Sequence, residues 1–206
     1  MLHLRTILPH TLELLRQLQK LPSVQDTRLV GGTALALQYG HRQSVDLDFF
    51  GTLPEDIEQM EEELRSVGKV DVLKDSANIR IYQINNVKAD FVNYSRYPWI
   101  DNIVIEDDIL LASPKDIAAM KVNAVEGRGT KKDFIDIYAL LHHYSLNEIL
   151  AFYDAKYPEH STLRAIMSLT YYDDADEQMS PTTFDLPSWE EMKEYIRQAV
   201  ESWERK

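Results

Sequence analysis

No cysteine occurs among the 206 residues. That absence excludes disulfides, thiolate nucleophiles and Cys-ligated zinc, and it fits a reducing compartment. No uncharged apolar run approaches the ~20 residues that a membrane-spanning helix needs, so no membrane association is expected. The opening stretch MLHLRTILPHTLELL interrupts its leucines with His3, Arg5, Pro9 and Glu13. No small-residue cleavage pattern follows it, so the expectation is a cytoplasmic protein without a secretory signal. Positive charge is scarce as well: 22 Lys and Arg stand against 34 Asp and Glu, a formal net charge of -12. This balance argues against indiscriminate nucleic-acid binding, because phosphate contacts need clustered cations. Basic residues do collect between the acidic segments, at Arg42, Arg80, Lys88, Arg96, Lys115, Lys121, Arg128, Lys131 and Lys132, which leaves room for a local basic face.

Three common signatures are also missing. There is no G-x-x-x-x-G-K-[ST], no G-x-G-x-x-G and no H-E-x-x-H, so a P-loop, a dinucleotide fingerprint and a zincin site are excluded.

What is present divides the chain near residue 111. A helix is expected over Pro9 to Leu21, a strand over 27–30, a helix from Thr33 to Tyr39 and a strand over 44–50. A helix from Pro54 to Val67 follows, with Ile57, Met60, Leu64 and Val67 on one stripe. Three strand candidates, KVDVLK, IRIYQIN and VKADFVNY, are joined by Asp-Ser and Asn-Asn turn signals and read as an antiparallel meander. From Ser113 the pattern turns helical, with start signals at Ser113-Pro-Lys-Asp116, Ser145-Leu-Asn-Glu148 and Ser188-Trp-Glu-Glu191. The stretch 173–187, acidic and proline-containing, reads as a surface loop. The expected fold is α+β: a mixed, partly antiparallel sheet flanked by helices over 1–111, then a helical region over 112–206.

Two features carry chemistry. In LVGGTALALQYGHRQSVDLDFF, Gly31-Gly32 closes a strand and opens a helix. Such a turn lets backbone approach a ligand, and the following helix start offers N–H groups and partial positive charge to an anion. Thirteen residues later Asp46 and Asp48 alternate with Val45, Leu47 and Phe49, so in a strand both aspartates share one face. Two carboxylates there repel each other, and a divalent cation such as Mg²⁺ would relieve that while keeping positions open for phosphates. A solvent-facing strand is the plain alternative for the pair.

Together these elements resemble the signature of the DNA polymerase β-like nucleotidyltransferase superfamily. The block GGTALALQYGHRQSVDLDFF looks more narrowly like the opening of the AbiEii/AbiGii-type nucleotidyltransferase toxins. SPKDIAAMKVNAVEGRGTKKDFIDIYALL resembles that family's downstream motif. The resemblance spans roughly residues 29–141. It implies an α+β nucleotidyltransferase core, with Asp46 and Asp48 as metal-holding catalytic residues and Asp90, in VKADFVNY, as the third carboxylate. For Asp90 a salt bridge to Arg80 or Lys88 is the alternative use.

Gly31, Gly32, Thr33, Arg42 and Ser44 are implied as nucleotide-binding, with Lys121 and Arg128 supplying the cations that a missing P-loop lysine would give. Asp133 is implied as an active-site residue, either orienting Lys121 or acting as base toward the incoming hydroxyl; Asp136 opens the same helix. Helix capping is the plain reading of both acids, and a lysine stem covering apolar surface is that of Lys121.

The implied reaction is Mg²⁺- or Mn²⁺-dependent transfer of NMP from an NTP to an acceptor hydroxyl. The implied biology is the toxin of a bacterial toxin–antitoxin or phage-defence pair acting on tRNA ends, with a separately encoded antitoxin regulator that need not bind it. Transfer to an aminoglycoside-like small molecule or a protein side chain, and a degenerate module that binds nucleotide without turnover, are the competing readings.

Overall fold

Seven strands form one mixed sheet in the computed structural model, which describes residues 1–203. They are β1 (Thr27–Leu29), β2 (Leu47–Gly51), β3 (Val70–Asp75), β4 (Ile79–Ile84), β5 (Val87–Asn93), β6 (Val104–Glu106) and β7 (Ile109–Leu111). Their spatial order is β3-β4-β5-β2-β1-β7-β6. β3, β4 and β5 make the antiparallel meander that alternation and turn signals lead one to expect. Asn85 and Asn86 take the left-handed conformation in the tight β4–β5 turn, a role that asparagine fills at low steric cost. β5 then runs parallel to β2, β2 antiparallel to β1, and β1 parallel to β7.

The chain divides into two units, residues 1–97 with 102–112, and residues 98–101 with everything from Ser113 onward. The first holds the sheet with α1 (Pro9–Leu18), α2 (Gly31–Tyr39) and α3 (Ile57–Val67). Leu47 and Phe49 of β2, Tyr82 and Ile84 of β4, and Ala89 and Phe91 of β5 are fully buried, as are Leu15, Leu18, Met60 and Leu64 of α1 and α3. The Phe49 and Phe91 rings stack with centroids 5.1 Å apart. Strand alternation therefore turns Asp48, Lys88 and Asp90 to the opposite face of the sheet.

The second unit holds α4 (Pro114–Gly127), α5 (Lys131–Leu141), α6 (Leu146–Lys156), α7 (Thr162–Ser168), α8 (Asp173–Asp176) and α9 (Trp189–Glu201). Ser113 caps α4 ahead of Pro114, and reciprocal capping boxes start α6 and α9. Its core includes the fully buried Ile117, Val122, Phe134, Ile137, Ile149 and Ile196.

Several local expectations change. β2 starts at Leu47 rather than Ser44, and Val45 is 52% exposed instead of sharing the buried face. The cause is tethering: Ser44 N–H donates to the Thr6 carbonyl, and the Asp46 carbonyl accepts from the Thr33 hydroxyl, so 44–46 is held by helix and turn rather than by a neighbouring strand. α1 ends at Leu18 and α3 begins after Asp56, whose side chain caps it, rather than at Pro54. The stretch 173–187 contains α8, because Ala175 is fully buried. β6 and β7 were not anticipated; their turn carries Asp107 and Asp108 at positive φ, where Asn-Gly would have been the recognisable signal.

Candidate active site

In the first unit, two glycines mould the start of α2 around charged side chains. Gly31 has φ of +66°, and a Cβ there would fall 2.4 Å from Oδ2 of Asp48. The Asp48 carboxylate thus lies directly against the first residue of the helix, and the Val30 N–H donates to the Asp48 carbonyl at 2.8 Å. At Gly32 a Cβ would fall 1.9 Å from Nη2 of Arg42. Arg42 is buried, and its Nη1 donates to the Gln43 carbonyl at 3.0 Å. The Thr33 hydroxyl bonds Ser44 Oγ at 2.8 Å and donates to the Asp46 carbonyl. Gly31, Gly32, Thr33, Arg42, Ser44, Asp46 and Asp48 are therefore brought together, because helix start and aspartate strand are stitched residue to residue.

Asp90 joins this face through strand register. Asp48 and Asp90 are Cα partners in the parallel β2–β5 pair, so their side chains leave neighbouring strands, about 4.8 Å apart, on the same side. Asp90 is not alone there. Lys88, two residues earlier on β5, places Nζ 2.5 and 2.6 Å from the two Asp90 carboxylate oxygens. Of the two cations considered as partners for Asp90, it is Lys88; Arg80 reaches Asp75 instead, at 3.3 Å. Among the described residues no three metal-ligating side chains stand grouped as a preformed cage.

The second unit carries its own cluster. Lys121 of α4 is buried, with Nζ 3.0 Å from Asp133 Oδ1 and 2.6 Å from Asp136 Oδ2. Arg128, in the α4–α5 turn, donates to both Asp133 oxygens, through Nε at 2.9 Å and Nη2 at 3.1 Å. The Thr130 hydroxyl adds a fourth donor at 2.5 Å. Burial pushes the Asp133 carboxyl up, but Lys121, Arg128 and Thr130 outweigh it and hold it well below the usual carboxylate range. A carboxylate with every lone pair engaged and so low an affinity for protons is a poor general base and a good anchor. The Arg128 side chain is 58% exposed, whereas Lys121 and both aspartates are enclosed.

Lys88 was not among the site residues read from sequence. Its position two residues before Asp90 on a strand was the available signal. His41 is buried, and His142 caps the end of α5. Met192 and Ile196 are buried and Trp189 is half-buried, packing edge-on against Phe134 and Tyr172.

These features can be set beside known proteins. The family model for the nucleotidyl transferase AbiEii toxin of type IV toxin–antitoxin systems matches residues 13–205. An uncharacterized protein of Aquifex aeolicus is 35% identical over 198 residues, covering 93% of this chain and 94% of its own. Among solved structures, JHP933 from Helicobacter pylori aligns over 95% of this chain and 92% of its own, at 16% identity and a TM-score of 0.55. The nucleotidyltransferase toxin MenT4 from Mycobacterium tuberculosis aligns over 93% and 81%, at 14% identity and a TM-score of 0.56. At these identities the structural likenesses establish a shared fold. The family match covers nearly the whole chain, and on it the protein belongs to the AbiEii family of nucleotidyl transferase toxins and is a nucleotidyltransferase enzyme.

Proposed function

We propose that the enzyme moves NMP from a Mg²⁺-bound NTP to an acceptor hydroxyl at a tRNA end, as the toxin of a toxin–antitoxin pair used in phage defence. The observation that carries the chemistry is the contact of Gly31 with the Asp48 carboxylate. A helix start attracts a triphosphate, yet here an aspartate already lies against it. Phosphate and carboxylate can share that position only if a cation sits between them, so the donor set suits a divalent ion. Asp46, Asp48 and Asp90 would hold it, and when bound it neutralises charge on the phosphates and on the attacking and leaving oxygens.

The chain's own groups then have separable tasks. The start of α2 at Gly31, Gly32 and Thr33 receives the outer phosphates, with the Arg42 guanidinium as the fixed positive charge beneath it. Ser44 and Thr33 keep the Asp46 segment in place. In the helical unit, Asp133 is the anchor that orients Lys121 and Arg128, and Arg128 is the cation that stays exposed. In the reaction, the acceptor oxygen bonds to the α-phosphorus, the bond to the bridging oxygen breaks, pyrophosphate leaves, and the hydroxyl proton passes to solvent. Most of the acceleration is positioning and charge stabilisation. A separately encoded regulator serves as antitoxin without needing to touch this chain.

The test is to offer each radiolabelled NTP with Mg²⁺ to total tRNA, cell protein and small hydroxylated compounds. Label on tRNA supports the reading. Label only on protein or on a small molecule replaces the acceptor, and nucleotide binding without pyrophosphate release under any acceptor points to a module that has lost turnover.

A further inference from the structure

Lys88 places a resident cation on the face where the proposed metal would bind. Its ammonium engages both oxygens of Asp90, at 2.5 and 2.6 Å, so each oxygen already accepts a charged hydrogen bond in this arrangement. Asp90 is the strand neighbour of Asp48, and its side chain is 18% exposed. Two half-buried carboxylates on adjacent strands repel each other, and the ammonium offsets that repulsion. The Lys88 side chain is 41% exposed on a flexible four-carbon stem, so it can leave toward water without disturbing the strand. A divalent ion taking an Asp90 oxygen at Mg²⁺ distances, about 2.0–2.1 Å, would meet the ammonium's charge at close range, so the two compete for that carboxylate.

We propose that Lys88 is an exchangeable internal counter-ion. It occupies Asp90 when the divalent ion is absent, is displaced when the ion enters, and so sets the affinity of the site and keeps the empty carboxylate pair from splaying. This rests on the metal reading of Asp46, Asp48 and Asp90. Lys88 is on this account a positioning residue, acting through Asp90.

The experiment is titration of the full chain with Mn²⁺, counting free ion by electron paramagnetic resonance, for the wild type and for Lys88→Met, Lys88→Gln, Asp48→Asn, Asp90→Asn and Lys88→Met with Asp90→Asn. Removing the competitor should tighten Mn²⁺ binding about two- to fivefold, the range expected for a partly exposed ion pair. Without metal, Lys88→Met should melt at a lower temperature than the wild type, and Mn²⁺ should raise its melting temperature by more. In the Asp90→Asn background Lys88→Met should bring no gain, because there is no shared carboxylate left to release. Unchanged or weaker Mn²⁺ binding in both Lys88 variants overturns the proposal. So does an equal gain in the Asp90→Asn background, which would be a field effect of the lysine rather than competition. If wild-type Mn²⁺ binding is lost in Asp48→Asn while the Lys88 variants are neutral, only the counter-ion role falls. If the wild type binds no Mn²⁺ that depends on Asp48, the metal reading falls and this inference with it.

Discussion

The guanidinium of Arg42 fills the space that a side chain at position 32 would need: a Cβ on Gly32 would lie 1.9 Å from Nη2. Glycine is required at this point by a neighbouring charge rather than by backbone conformation, since Gly32 itself has no positive φ. On the proposed reading, Arg42 is the cation in the first unit that stands in for the missing P-loop lysine.

Gly32→Ala should push the guanidinium out from under the start of α2 while sparing the fold. The expected result is an NTP KM about ten- to a hundredfold higher, the loss of one charge-assisted hydrogen bond. Arg42→Lys should behave alike, because a point charge cannot reproduce a planar fork whose Nη2 lies against Gly32 while its Nη1 bonds the Gln43 carbonyl. Steady-state kinetics with circular dichroism as a fold control measures both. An unchanged KM in either variant would remove Arg42 from the nucleotide site.

Asp48→Asn keeps the size of the side chain and its contact with Gly31 but removes the charge. Transfer should fall by more than about a hundredfold, as expected when metal stabilisation worth several kcal/mol is lost. The variant should remain folded without metal, because the amide keeps the shape of the carboxylate against Gly31. A variant that lost activity only by unfolding would leave the role of Asp48 undecided in kinetics, so the melting curve is the deciding measurement. A fully active Asp48→Asn would falsify the metal assignment.

Asp133 makes stability depend on acid. Its native carboxyl titrates below its unfolded value. The stability it contributes is therefore fully present above the unfolded pKa, about pH 4, and is lost as the pH falls from there toward the native value. Asp133→Asn should cost about 3 kcal/mol at pH 7, since it leaves the buried Lys121 with Asp136 as its remaining carboxylate. The wild type should then lose stability between pH 4 and 2.5 more steeply than the variant. Urea unfolding at a series of pH values reads this directly, and parallel acid limbs would show that the network is not coupled to folding.

How far the sequence carries can be judged from particular positions. The meander was legible because IRIYQIN and VKADFVNY are rich in β-branched and aromatic residues and Asn-Asn marks their turn. The helix starts at Ser113, Ser145 and Ser188 were legible because capping chemistry is local. Gly31 and Asp48 lie seventeen residues apart in sequence, so the two halves of the motif could be read but their direct contact could not. Lys121 carried the expectation of phosphate charge from the motif resemblance; tertiary packing decides that its ammonium meets Asp133 and Asp136. β6 and β7 escaped because three-residue strands have almost no period, and Asp107-Asp108 is an uncommon hairpin turn. The Lys88–Asp90 pair was one of two open possibilities, and register settled it: Lys88 shares the face of Asp90, whereas Arg80 pairs with Phe91 across β4 and β5 and faces the covered side.

The last prediction concerns a pair that no local pattern marks. Lys156 and Asp116 are both fully buried, with Nζ 2.7 Å from Asp116 Oδ1 and 2.7 Å from the Pro98 carbonyl, and 4.6 Å from the centre of the Trp99 ring. Asp116 also accepts from the Ile100 and Asp101 N–H groups, at 2.9 and 3.2 Å, and from Ser113 Oγ at 2.7 Å. The two partners are therefore unequally dependent on one another. Lys156→Met leaves an aspartate that still has three other donors, and should cost about 1–3 kcal/mol. Asp116→Ala leaves an enclosed ammonium with a carbonyl and a ring face, frees two backbone N–H groups, and should cost about 3–5 kcal/mol. Combining Lys156→Met with Asp116→Ala should cost less than the sum, because no uncompensated charge remains. Urea denaturation of the four proteins measures the cycle. Equal single costs, or strict additivity, would mean that the buried pair is not the tie that holds residues 98–101 to α4 and α6.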